Sequence, residues 1–341
     1  MSSLVNPKII KKEAQALVNW YSNQKRPLPW RQSRQPYPIW ISEIMLQQTT
    51  VKAVIPYFKK FMRAFPTIES LAQASLEEIY SQWAGLGYYS RARNLKKAAE
   101  ALSQMPCFPK TYQELLALPG FGPYTARAVS SQAFDEPVGV VDGNVIRVLS
   151  RRYGLPIEHW KPKERDKLQA IADSYAQYAP PSEINQAWME LGATLCSPQT
   201  PSCLLCPAKS NCIALKENKV QDLPLKKARR AAEVWLWQLK IFEKENGSVA
   251  FVRNKQAPFL KDQWVLPGLA VKRKTPPRQF DFQHAITHHK IYVQVTRGKS
   301  NFDELKNLKV TWISRKGLKE KVPFSIIQKT IDIGLGDRSK I

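Results

Sequence analysis

The sequence predicts two domains of different class: a mainly α domain over residues 1–215 and a smaller α+β domain over residues 231–341, joined by a basic linker at 216–230. Three observations predict this. Helical periodicity broken by Gly and Pro connections fills the first stretch, with almost no strand signals. Four of the five cysteines crowd between 196 and 212 and close that stretch. Beyond them the composition turns polar and basic, and from Val234 it alternates as half-buried strands do. A chain of 341 residues has room for two separate cores.

The helices follow in order. Ile9 to Tyr21 is amphipathic, Trp40 to Gln48 and Val51 to Phe65 are periodic, and Pro56 falls near a helix start. Leu71 to Tyr80, Arg91 to Ser103, Tyr112 to Leu118, Thr125 to Ala133 and Val145 to Arg152 come next. Pro66, Gly85-Leu-Gly87, Pro106 to Pro109 and Pro119 to Pro123 separate them. The linker carries Lys216, Lys219, Lys226, Lys227, Arg229 and Arg230. Strands are expected at Val234 to Phe242, Ser248 to Arg253, Ile291 to Thr296 and Val310 to Ile313. Asn246-Gly247 predicts a hairpin between the first two.

Charge narrows the function. Lys plus Arg number 52 against 28 acids, a net charge of +24, which suits a polyanionic partner. Nucleic acid fits better than membrane, because no apolar run approaches the ~20 residues that span a bilayer. The N-terminus reads as a helix and not as a signal peptide, so the expected location is the cytoplasm; a nucleoid-associated monomer is the expected working form.

Leu118-Pro-Gly-Phe-Gly-Pro-Tyr-Thr125 has the form of a tight turn between two helices. Gly120 and Gly122 allow φ > 0 and bring backbone N–H groups close to an anion. A helix starting near Pro123 would aim its positive end there, where a DNA phosphate could sit. Asp142 leaves the apolar run Val138 to Val141 and leads into a helix. A turn gripping a phosphate puts that carboxylate within reach of the sugar.

Cys196-x6-Cys203-x2-Cys206-x5-Cys212 offers four thiolates in one short loop, a metal site. Zinc and a [4Fe–4S] cluster both accept four cysteines. A zinc site usually pairs two Cys-x2-Cys knuckles, and only one is present. Lys209 beside the loop suits phosphate contact.

Together these features resemble the helix-hairpin-helix DNA glycosylases with an iron–sulfur loop, and among them the MutY family of adenine DNA glycosylases. The resemblance rests on Leu28-Pro-Trp-Arg31, Trp40-Ile-Ser-Glu-Ile-Met-Leu-Gln-Gln-Thr49, Gly85-Leu-Gly-Tyr-Tyr-Ser-Arg-Ala-Arg-Asn94, the Leu118-to-Thr125 turn, Val141-Asp-Gly-Asn-Val145, Asn185-Gln-Ala-Trp-Met-Glu-Leu-Gly192 and the four cysteines. It covers residues 7–215 and weakens beyond 230.

The resemblance implies a [4Fe–4S] cluster and base extrusion into a pocket. The reaction implied is monofunctional removal of adenine mispaired with 8-oxoguanine or guanine in double-stranded DNA. Loss of a purine leaves oxocarbenium character on the sugar, so an acid for the base and a negative charge for the sugar are needed. By the resemblance Glu43 is the acid, its pKa raised by apolar neighbours, and Asp142 stabilises the cation. Asn144 orients nearby groups. Tyr124 hydrogen-bonds to Asp142 or the sugar. Bifunctional relatives carry a lysine at its position; tyrosine cannot form a Schiff base, so efficient strand cleavage is not expected. Arg26, Leu28, Trp30, Arg31 and Glu190 match the adenine pocket. Gln48 and Thr49 match contacts to the opposite base, and Tyr88 matches a wedge in the stack.

Residues 231–341 resemble the family's Nudix-like lesion-recognition domain through Trp264-Val-Leu-Pro-Gly268 and His284-Ala-Ile-Thr-His288. The glutamate run of catalytic Nudix enzymes is missing, so no pyrophosphatase activity is expected. Thr287 and His288 keep the lesion-reading hydroxyl and imidazole, whereas Ile286 replaces an aromatic. The competing readings are an endonuclease III-like bifunctional glycosylase for oxidised pyrimidines and a non-catalytic iron–sulfur DNA-binding protein.

Overall fold

The computed structural model describes residues 6–228, 230–299 and 302–336. Arg229, part of the expected linker, lies outside the described residues. The chain divides into two compact units: Met1–Ala74 with Tyr88–Ala228, and Ser75–Gly87 with Arg229–Ile341. The segment between Ala74 and Tyr88 thus groups with the second unit.

The first unit contains α1 (Pro7–Gln24), α2 (Pro36–Leu46), α3 (Val51–Ala64) and α4 (Ile68–Gln73), while α5 (Leu76–Trp83) belongs to the second. It continues with α6 (Ser90–Leu102), α7 (Tyr112–Leu116), α8 (Pro123–Phe134), α9 (Gly143–Arg152), α10 (Pro162–Ala176), α11 (Pro181–Thr194) and α12 (Ile213–Lys216). No strand occurs among its described residues. The expected helix Leu71 to Tyr80 is two helices. Ala74 is extended, and the Ser75 and Glu78 side chains cap each other's backbone to start α5. α10 and α11 went unread in the sequence.

One core of this unit is built from α1, α9, α10 and α11: Leu17, Val148, Leu149, Ile171, Tyr175, Ile184, Trp188 and Leu191. Tyr175 and Trp188 meet edge to face at 4.9 Å. Cys196 and Cys206 pack against the same core. α2 is different: Tyr37 and Ile39 through Met45 are all buried, so its one carboxylate, Glu43, has no solvent face. Trp40 stacks on Phe121 at 5.3 Å and fixes α2 to the turn before α8.

In the second unit one sheet has the order β4-β1-β6-β5 and another β3-β2-β7. The strands are β1 (Glu233–Ile241), β2 (Ser248–Arg253), β3 (Trp264–Val265), β4 (Gly268–Arg273), β5 (Phe282–Ile286), β6 (His289–Arg297) and β7 (Thr311–Ser314), followed by α13 (Leu318–Lys321) and α14 (Ser325–Gly334). β1 and β6 are parallel; the other pairs are antiparallel. The Asn246-Gly247 turn forms, with Gly247 at φ 74° and Lys244 bonded to Ser248. Its two strands, however, belong to different sheets. Beside the turn the bridge Glu243 to Val249 and the bond from Ala250 to Phe242 continue the pairing for a short way.

Candidate active site

Glu43 sits mid-helix on α2 and is 5 % exposed. Both its oxygens are held. The Tyr124 hydroxyl donates to Oε2 at 2.7 Å, and Gln132 Nε2 donates to Oε1 at 2.8 Å. Burial pushes its carboxyl above the ordinary range; the Tyr124 and Gln132 hydrogen bonds oppose this, and Asp142 adds to it. A raised pKa favours the protonated form, the form that can donate to a group entering beside it. Of the expected partners of Tyr124, Asp142 or the sugar, Asp142 is not the one its hydroxyl reaches here: it donates to Glu43. Burial, with the Glu43 and Asp142 charges, drives the phenol well above its usual range, so it stays a neutral donor.

Asp142 N-caps α9. Oδ1 accepts the Val145 N–H at 2.7 Å, and Oδ2 accepts Asn144 Nδ2 at 2.9 Å. Burial raises its pKa, while these donors and Arg147 lower it. Arg147 Nη2 holds Asn144 Oδ1 at 2.9 Å and the Gly192 carbonyl at 2.7 Å, and Nε holds the Cys196 carbonyl at 2.8 Å. Gly192 is needed there: a Cβ would lie 2.6 Å from Asn144 Cβ. The run before Asp142 is fixed by Asn185, which accepts from Val140 N–H at 2.9 Å and donates to the Val138 carbonyl at 2.8 Å.

Glu43 and Asp142 line one cavity of about 830 Å³. Arg26, Leu28, Trp30, Arg31, Gln48, Thr49, Tyr124, Asn144 and Glu190 line it too, so the geometry brings most of the expected site residues together. Glu190 is 1 % exposed. Arg26 Nε reaches it at 2.6 Å and Arg31 Nη2 at 2.8 Å. Burial works against its ionisation, but the two guanidiniums outweigh that and hold its pKa low. Gln132, Gln186 and Asn185 were missed as site residues. A glutamine or asparagine in a helix carries no periodicity signal, and of the three only Asn185 and Gln186 fall within a motif that carries the resemblance.

Three turns carry further expected site residues, and the first of them lines this cavity. Gln48 follows α2 with φ 61°, and buried Arg91 secures the turn by donating to the carbonyls of Ile44 at 2.7 Å and Met45 at 3.0 Å. Arg91 also donates to the Gln47 carbonyl, so its charge rests on the C-terminal end of α2. Tyr88 is exposed with φ 49°. In the turn between α7 and α8 only Gly120 has positive φ, at 82°. Gly122 is extended at φ −87° and N-caps α8 without a side-chain acceptor. It is valuable for its openness: a Cβ there would meet nothing within 4 Å.

Cys196, Cys203, Cys206 and Cys212 line a single small cavity with Leu195, Pro201, Leu215 and Val220. Burial pushes the Cys206 thiol up to about 12. Two arginines of α9 brace the loop. Arg151 Nη1 lies 3.4 Å from Cys196 Sγ and 2.7 Å from the Ser197 carbonyl. Arg152 pairs bidentately with buried Glu13 of α1 and donates to the Asn211 carbonyl at 2.6 Å. Lys209, expected to reach phosphate, donates to the Leu204 carbonyl at 2.7 Å and supports the loop itself.

In the second unit Thr287 and His288 form the turn from β5 to β6. Thr287 has φ 56°, unusual for a β-branched residue. Its hydroxyl donates to the Ile286 carbonyl at 2.7 Å. Ile286 is half-buried at the end of β5, and His289 is buried behind it.

A helix–turn–helix opening on bare backbone amides thus leads through Tyr124 to a cavity that holds a buried carboxyl and a capping aspartate. The family model described as "HhH-GPD superfamily base excision DNA repair protein" matches residues 41–174. The adenine DNA glycosylase of Buchnera aphidicola subsp. Schizaphis graminum is 38% identical over 266 residues, 77% of this chain and 76% of that one. This chain belongs to the adenine DNA glycosylase family. The Homo sapiens adenine DNA glycosylase is 43% identical over 221 residues, covering 61% of this chain and 40% of its own. Among solved structures, a thermostable thymine-DNA glycosylase superposes with a TM-score of 0.55 at 27% identity, over 62% of this chain and 98% of that one. A non-covalent endonuclease III–DNA complex superposes at 0.51 and 24% identity, over 63% of this chain and 98% of that one, and shares the fold. Among the described residues no helix is long and apolar enough to cross a membrane.

Proposed function

We propose that this chain is a monofunctional glycosylase that extrudes adenine from a mispair with 8-oxoguanine or guanine and removes it. One observation carries this reading: a buried, doubly hydrogen-bonded Glu43 shares a cavity with Asp142. Protonated Glu43 gives its proton to N7 of adenine. The N9–C1′ bond breaks with its electron pair going to the base, and Asp142 stabilises the cation left on the sugar. Water adds to C1′ and its proton returns to Glu43. Arg26, Leu28, Trp30, Arg31 and Glu190 receive the base, and Asn144 holds Asp142 in place. No lysine lines the cavity beside Asp142 in the place of Tyr124; Lys52 is the one lysine of its wall among the described residues.

Gln48 and Thr49 would meet the opposite base, and Tyr88 would enter the stack. The Gly120-to-Gly122 turn would grip a phosphate. On this reading residues 1–215 are the glycosylase domain, 216–230 the linker and 231–341 a Nudix-like domain whose Thr287 and His288 read the lesion. The four cysteines fit a [4Fe–4S] cluster: four soft donors converge on one apolar-walled cavity. Cys196, Cys203, Cys206 and Cys212 would hold the cluster as thiolate ligands to its irons, whose positive charge would offset part of theirs and tie the loop together.

The test is one duplex carrying adenine opposite 8-oxoguanine, incubated with excess enzyme and analysed with and without alkali. Breaks that require alkali support the reading. Breaks without alkali overturn the monofunctional assignment, and cleavage only of an oxidised-pyrimidine duplex overturns the substrate.

A further inference from the structure

A line of side chains runs from the charged wall of the cavity to the catalytic acid. Arg31 Nε donates to Gln186 Oε1 at 2.8 Å. Gln186 Nε2 donates to Gln132 Oε1 at 2.9 Å. Gln132 Nε2 donates to Glu43 Oε1 at 2.8 Å. Gln132 is 4 % exposed, so no water competes for its amide from outside the cavity.

The direction of this line is not free. A guanidinium has donors only, so it must face the oxygen of Gln186. The Tyr21 hydroxyl donates to the same oxygen at 3.2 Å. Gln186 must then present its NH₂ to Gln132, which must present its own NH₂ to Glu43. Flipping either amide would set two donors against each other, so Arg31 determines amide orientations that geometry alone leaves open. Arg31 is itself anchored, Nη2 on Glu190 at 2.8 Å.

The geometry points to Gln132 as a positioning residue that commits Oε1 of Glu43 to accepting, so that the acid proton resides on Oε2, beside Tyr124. Two consequences follow. The carboxyl cannot rotate its proton away from the Tyr124 side. The donation also favours the carboxylate, so it makes the proton easier to release than burial alone would allow. The other groups facing Glu43 are Tyr124 from α8, Asp142 from the start of α9 and Arg31. Gln132 is uncharged, and replacing it leaves all three in place.

The proposal rests on the reading of Glu43 as the acid, and the test separates the two. Single-turnover base release is followed against pH for the full chain, Gln132→Leu, Gln186→Met and Glu43→Gln, with thermal unfolding of each as a folding control. Leucine nearly preserves volume. The alkaline limb, which marks loss of the Glu43 proton, should move up by about one pH unit in Gln132→Leu, the size expected for a lost hydrogen bond to a charged group. It should move the same way in Gln186→Met, by less. A merely structural Gln132 would lower the rate at every pH and leave the limb fixed, and that result overturns the proposal. If Gln132→Leu does not fold, the Gln186→Met limb decides alone. Full activity in Glu43→Gln would instead overturn the reading on which the proposal stands.

Discussion

The Tyr124 hydroxyl rests 2.7 Å from Oε2 of Glu43. On the reading proposed above, the tyrosine that stands where the resemblance puts a lysine in bifunctional glycosylases serves the acid instead. Removing its hydroxyl takes away one donor to the carboxylate. Tyr124→Phe should slow single-turnover release several-fold to tenfold while stability falls by only about 1 kcal/mol. An unchanged rate would mean that the hydrogen bond has no part in the chemistry.

Glu43 also makes stability depend on pH, with a definite sign. Burial raises its pKa in the fold, so the folded chain holds this proton more tightly than the unfolded chain does. The stability gained is fully present below the unfolded pKa and is lost as pH rises through the folded one. Glu43→Gln removes that loss. The variant should therefore melt above the unmodified chain, by a margin that widens with rising pH and then levels off. Melting curves across a pH series check this; a margin independent of pH would contradict it.

Gly192 and Asn144 are as closely coupled. A methyl group at Gly192 would press on Asn144 Cβ at 2.6 Å and push aside the residue that holds Asp142. Gly192→Ala should lower base release at least tenfold and cost about 1 to 3 kcal/mol of stability from overpacking. Rate and melting temperature measured together test this, since a large stability loss with full activity would show that α11 yields instead of α9.

How much of this was legible in the sequence varies by residue type. Glu43 and Asp142 were legible only through the resemblance of the motifs that hold them; by pattern alone Glu43 reads as a surface glutamate of a first helical turn and Asp142 as an ordinary N-cap. The break at Ser75 was written in Ser75-x-x-Glu78 but was overridden by apolar spacing on either side. β4 escaped because its residues are mostly exposed and alternate weakly. The role of Gln132, the role of Asn185 within its motif, and the pairing of Glu13 with Arg152 were not legible. Each depends on a partner more than 40 positions away, and polar residues in helices look alike until the helices are packed.

That last pair carries its own consequence. Glu13 and Arg152 are both nearly inaccessible, and the arginine also supports the cysteine loop. Glu13→Gln leaves a buried guanidinium without its counter-charge, so it should cost about 3 to 5 kcal/mol. Urea unfolding measures this. It should also loosen the loop, seen as faster bleaching of visible absorption if the cluster is an iron–sulfur centre.

The most direct test of the account is Glu43→Gln on the adenine:8-oxoguanine duplex, with binding and base release measured on the same preparation. The account predicts duplex binding within a few-fold of the unmodified chain and base release reduced to the limit of detection. Release at the unmodified rate would contradict it, because a glutamine at this position has no proton to give.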